Sequence, residues 1–119
     1  MLTIFHICLR YDWEVAKAAG VYRGDTLATQ GFIHFSFAEQ VGGTAERFFH
    51  GIHNLLLLQV DTAKLQAELR IEDGGHGIDF PHLYGALNLD AVGQTIDFPC
   101  QRDGSFVIPE ALKPFLPKK

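Results

Sequence analysis

Four consecutive leucines, Leu55, Leu56, Leu57 and Leu58, followed by Gln59-Val60-Asp61, constrain this fold more than any other feature of the chain. The run is the longest uninterrupted apolar stretch, yet it falls far short of the roughly 18 residues that a membrane span requires. A strand that is apolar on both faces belongs in the middle of a sheet, with material packed above and below it. Residues 55–60 therefore predict a central strand, and the rest of the chain must supply its neighbours and both covering layers. At 119 residues, with 47% hydrophobic side chains including ten Phe, there is enough apolar matter for one such domain. We expect a single domain over residues 1–119, with a core of about residues 2–109 and a Pro- and Lys-rich tail at 110–119.

Thr3–Leu9 predicts a second buried strand, placing Ile4, His6 and Cys8 on one face and Phe5, Ile7 and Leu9 on the other. Asp12 has the chemistry of a helix N-cap and Gly20 that of a helix stop, with Trp13 and Ala16 turned inward between them. Residues 32–35 predict a third strand in which Phe32, His34 and Ser36 share a face. Ser36-Phe37-Ala38-Glu39 has capping-box spacing and opens a helix through Phe49. Gly42-Gly43 within it implies either a kink or close packing. Asp61-Thr62 begins a short turn, 69–72 a short strand, and Asn88 caps another turn. Residues 73–79 hold three Gly and form a loop, and the aromatic segment Phe80-Pro81-His82-Leu83-Tyr84-Gly85 follows as its continuation. Asp103-Gly104 between apolar runs at 95–98 and 106–108 predicts a hairpin. The fold class is α+β, with flanking helices and a sheet that is largely antiparallel or mixed late in the chain.

A net charge of −4 and scattered Lys and Arg give no basic face, which disfavours nucleic-acid binding. With two cysteines and no leader-like N-terminus, we expect a cytoplasmic protein. Six His are the notable load. His6 and His34 lie on otherwise apolar strands beside Cys8 and Ser36, and polar groups clustered there need mutual partners or a cleft. His82 and Tyr84 alternate to one side of the aromatic segment, with Phe80 and Leu83 directed inward. His50 and His53 have ligand-like spacing, but Gly51 turns them into a helix exit, so no metal is expected. His76, among glycines, reads as a solvated loop residue. Exposed Phe80, Leu83 and Phe106 would suit a homodimer.

The segments Ile4-Phe5-His6-Ile7, Gly31-Phe32-Ile33-His34-Phe35-Ser36, Arg47-Phe48-Phe49 and Phe80 to Gly85 closely resemble the bacterial domain-of-unknown-function 952 family, over nearly the whole chain. A second set, Ile33-His34-Phe35-Ser36, His50-Gly51 and Leu56 to Asp61, resembles the RNA 2′-phosphotransferase branch of the ADP-ribosyltransferase superfamily. That resemblance implies an NAD-gripping cleft between two small sheets. His6 would hold the adenosine ribose, His34 with Ser36 would border the nicotinamide, and Arg23 or Arg47 would meet phosphate. Many relatives carry Gly after the first-strand His, where this chain has Ile7, and the third-motif Glu falls to Glu72 or Glu110. His82 and His34 are then the catalytic candidates, His82 as acid–base group, with His6, His34, Ser36, Arg47 and Tyr84 as cofactor-binding residues. The implied ligand is NAD or a related nucleotide. A non-catalytic binding module and a protein-interaction domain are the alternatives.

Overall fold

The computed structural model describes residues 2–117. Strand β1 (Thr3–Leu9) runs directly into helix α1 (Arg10–Ala19), then β2 (Val21–Tyr22), a single turn α2 (Leu27–Gln30) and β3 (Ile33–His34). A 3-10 turn leads into α3 (Val41–Phe49), followed by β4 (Leu55–Asp61), β5 (Glu68–Asp73), β6 (Asp79–Tyr84), β7 (Leu87–Asn88) and β8 (Val92–Asp97). A last 3-10 segment, Glu110–Phe115, ends the fold. Among the described residues no helix is long and apolar enough to cross a membrane.

The leucine run occupies the centre of the first sheet, ordered β1-β4-β8, and both its neighbours are antiparallel. Its two faces feed two separate cores. Leu56 and Leu58, with Ile4 and Cys8 of β1, pack against Trp13, Ile33, Phe35 and Leu83. Leu55 and Leu57, with Phe5 and Ile7, pack against Val41, Ala45, Phe98 and Leu112. A fully buried leucine contributes roughly 1.5–3 kcal/mol relative to an exposed one, so this strand anchors both layers. The second sheet, ordered β3-β6-β5, is antiparallel throughout, and β2 pairs with β7 in a separate two-stranded ladder. The α+β class stands, with one ladder more than the two sheets expected.

Several local expectations are corrected. Helix α1 begins at Arg10 without a side-chain cap, so Asp12 is a first-turn acid and not the N-cap; Gly20, left-handed at φ 84°, does end it. The capping bond before α3 is shifted by one residue, because the Gln40 side chain accepts from the Phe37 amide while Ser36 bonds elsewhere. Gly42 packs closely: a Cβ there would lie 3.1 Å from Ile108 Cδ1, whereas one on Gly43 would meet nothing. The segment 79–84 is the middle strand of the second sheet and no loop. Pro81 is tolerated because its carbonyl accepts from Phe35 N at 2.9 Å, and the N–H it lacks would point to this same short partner. Residues 106–108 form no strand. The turn before them docks on the end of α3 instead, Gly51 N donating to Gly104 O at 2.9 Å. In the segment expected to be a tail, Leu112 is fully buried in the second core and anchors the 3-10 segment Glu110–Phe115 to the fold; 118 and 119 lie outside the described residues. Leu83 is buried and Phe80 and Phe106 are half-buried, so these three do not form the exposed apolar face expected of them.

Candidate functional site

The two sheets touch through one rung. Phe5 and Ser36 exchange both backbone bonds, at 2.8 and 2.7 Å, and β1 and β3 then diverge. Antiparallel strands exchange bonds at every second residue, so the next rung would join Ile7 to His34. It does not form, and Ile7 has no backbone partner on that side among the described residues. Its side chain is buried in the second core while its peptide faces a cleft of about 940 Å³. That volume lies at the upper end of the roughly 300–1,000 Å³ typical of small-molecule sites. The floor is His6, Cys8 and Tyr22; one wall is Phe32, His34, Phe80 and His82; the other is α3.

His6 is saturated. Its Nδ1 lies 2.6 Å from the His34 carbonyl, which can only accept, so Nδ1 carries the proton. Burial lowers the pKa of this ring and keeps it neutral. Nε2 is therefore the acceptor, and the Tyr22 hydroxyl donates to it at 2.7 Å. Burial also raises the Tyr22 hydroxyl and pushes the Cys8 thiol up to about 12, so neither ionises near neutral pH. The His6 ring has no vacant nitrogen for a ribose. The Ser36 side chain is buried, its hydroxyl sharing one bond with that of Thr44 at 3.1 Å.

Three more imidazoles border the cleft: His76, in the turn between β5 and β6, and His34 and His82, brought opposite each other by the β3–β6 register with ring centroids 5.4 Å apart. His34 faces Phe80 at 4.9 Å, and its Nε2 is buried without a partner. Burial, and next the nearby rings of His82 and His6, hold its pKa at about 4. His82 stacks on Phe32 at 4.0 Å and donates from Nδ1 to Glu72 Oε2 at 2.7 Å. The Tyr84 hydroxyl donates to the same oxygen. These two bonds, Tyr84 first, lower the Glu72 pKa and keep it ionised. A carboxylate on Nδ1 fixes the His82 tautomer and leaves Nε2 without the proton on a ring that lines the cleft.

Of the expected residues, His6, His34, Ser36, His82 and Arg47 all border the cleft, Arg47 from the exposed flank of α3. Tyr84 does not: it lies outside the lining, bonded to Glu72 and beneath the Arg70 guanidinium, 4.3 Å from its ring centroid. Glu110 is remote, on the C-terminal segment. Reading residues 79–84 as a loop hid the pairing of Glu72 with Phe80, which brings that carboxylate to the His82 ring. Phe80 follows the period-two pattern with His82 and faces the cleft, contrary to the expected inward direction. The turn between β5 and β6 borders the cleft through Gly74, Gly75 and His76, and Gly75 and Gly77 in it take positive φ. His50 pairs with Glu46 at 3.1 Å and His53 approaches Cys100 at 3.3 Å, both apart from the cleft lining. Among the described residues no three His, Cys, Asp or Glu lie together as a metal site would need.

A family model described as "Protein of unknown function (DUF952)" matches residues 7–95. The chain belongs to this family. The match includes β3, β5 and β6, so His34, Glu72, His82 and Tyr84 all fall within the DUF952 region. The crystal structure of protein CC0527 from Caulobacter crescentus is 36% identical and aligns over 92% of this chain and 97% of that one with a TM-score of 0.85. The solution structure of CC0527 is 38% identical over 87% and 90% of the two chains, with a TM-score of 0.76. No curated protein matches the chain.

Proposed function

We propose that the cleft binds NAD or a closely related nucleotide by its nicotinamide end, with His82 as the acid–base group of a transfer reaction there. The observation that carries this reading is the open peptide of Ile7 beside a wall of flat rings. A carboxamide offers a donor and an acceptor side by side, and a free strand edge offers the complement. Because Ile7 turns its side chain into the second core, the absence of Gly at this position leaves the peptide accessible. His34 and Phe80 supply a flat, largely apolar face for a planar ring.

Charge favours this end of the nucleotide over a phosphate-rich ligand. Among the described residues Arg47 is the single Arg or Lys bordering the cleft, against Asp12, Asp25, Glu39 and Asp73. An oxidised nicotinamide is cationic, whereas an RNA 2′-phosphate would meet net repulsion. The bound nucleotide would supply a glycosidic bond that breaks toward an oxocarbenium ion. The chain's part is to hold the ring, exclude water along Phe80 and Phe32, and move a proton at His82 Nε2 while Glu72 steadies Nδ1–H. The engagement of both His6 ring nitrogens within the fold favours, as a second reading, binding without turnover.

Thermal unfolding with NAD, nicotinamide and an RNA 2′-phosphate fragment tests the assignment. A ligand at 100 times its Kd adds about 2.7 kcal/mol, on the order of ten degrees in Tm for a domain of this size. NAD and nicotinamide should stabilise the protein and the RNA fragment should not. Absence of any shift with millimolar NAD overturns the reading. Nicotinamide release that disappears in His82→Ala, with binding retained, establishes the transfer; binding without release in the native chain leaves the second reading.

A further inference from the structure

We infer that His6 is a wedge that holds the cleft open by occupying the backbone acceptor β1 would otherwise use to zip onto β3. The inference rests on geometry alone and stands whether or not NAD is the ligand. After the Phe5–Ser36 rung, an antiparallel ladder would next place His6 beside Phe35 and then bond Ile7 to His34. The first of these neighbours is still close, with the His6 and Phe35 rings 5.3 Å apart. The divergence therefore begins at the following rung. There the His34 carbonyl, which would accept from Ile7 N–H, accepts instead from His6 Nδ1 at 2.6 Å.

The far side of the ring is fixed as well. Tyr22 holds Nε2 at 2.7 Å, and the two rings meet edge to face at 5.1 Å, so the imidazole cannot swing aside and release the carbonyl. Tyr22 is itself buried in the first core and paired with Leu87 of β7. A residue of β1 is thus braced from β2 against β3. The consequence is an unpaired Ile7 peptide in a cavity, where closing the ladder would have given a continuous sheet and no site. His6 is a positioning residue: it defines the space and leaves ligand contact to Ile7, His34 and His82.

Amide hydrogen exchange tests this without any ligand. In the native chain the Phe5 and Ser36 amides should exchange slowly, and those of Ile7 and His34 quickly. His6→Phe keeps a ring but has no donor, so the His34 carbonyl becomes free for Ile7. Ile7 and His34 exchange should then slow by about tenfold, the effect of one added hydrogen bond of ordinary net strength. His6→Gln retains a side-chain N–H and should leave both amides fast. A folded His6→Phe variant whose Ile7 and His34 amides exchange at native rates overturns the wedge. So does a native chain in which Ile7 is as protected as Phe5, an outcome readable even if the variant fails to fold.

Discussion

Lowering the pH should destabilise this protein through His34, and the effect can be worked out in advance. Burial first, then the rings of His82 and His6, hold its pKa at about 4 against an ordinary 6.5. A depressed folded pKa means that the unfolded chain takes up a proton near pH 6.5 which the folded chain refuses until about pH 4. The contribution is whole above the unfolded value and is lost as pH falls across that window. At about 1.36 kcal/mol per tenfold difference, the ceiling is about 2 kcal/mol between pH 7 and pH 5. The ring borders an open cleft, where water screens the protonated form, so we expect about 1 kcal/mol. Urea unfolding at pH 7 and pH 5 should show that loss in the native chain and much less of it in His34→Gln. His6, also lowered by burial, titrates in the same direction but is present in both chains, so the difference isolates His34. An equal loss in the two proteins would refute the reasoning, since His34 would then be as freely protonated folded as unfolded.

Leu112→Ala should cost about 2–5 kcal/mol in urea unfolding, because the side chain is fully buried in the second core; a loss below about 1 kcal/mol would return residues 110–117 to the status of a tail. Gly43→Ala should raise stability by up to about 1 kcal/mol, since a methyl there meets nothing and Ala is the better helix former. Gly42→Ala should gain nothing, because its methyl would stand 3.1 Å from Ile108; equal gains at both positions would contradict the packing. Glu72→Gln should release the His82 tautomer, seen as mixed Nδ1–H and Nε2–H signals in nitrogen NMR, whereas a single unchanged tautomer would mean that the carboxylate does not set it.

The parts of the fold legible in the sequence were those set by one-dimensional pattern. Leu55–Leu58 had to be central because both faces were apolar, and α1 had to stop at Gly20 because that position needs a left-handed backbone. The errors fell where tertiary pairing overrode local chemistry. Pro81 and the glycines before it read as loop, since a proline inside a middle strand is unfavourable unless the bond it cannot make is confined to a short neighbour. Residues 106–108 carry strand composition, but the turn ahead of them is pinned to the end of α3, where a Cβ on Gly104 would lie 2.7 Å from His50 Nε2. No local signal encodes that contact.

The site was legible for a different reason. Histidines on otherwise apolar strands mark places where a strand face cannot be filled with carbon, and the alternation of β1 and β3 put His6 and His34 toward one space. What alternation cannot give is how each ring spends its nitrogens. His6, expected to touch a ligand, is consumed by Tyr22 and the His34 carbonyl. Glu72, one of two candidate acids, pairs with a histidine ten positions away because β5 and β6 form a hairpin. Side chains engaged at both ends serve the architecture of a cleft, and those with one end free are left to do chemistry. By that criterion the cleft offers the Ile7 peptide on β1, the unpartnered His34 Nε2 on β3 and the His82 imidazole on β6, and they border one space because the ladder between the sheets stops after its first rung.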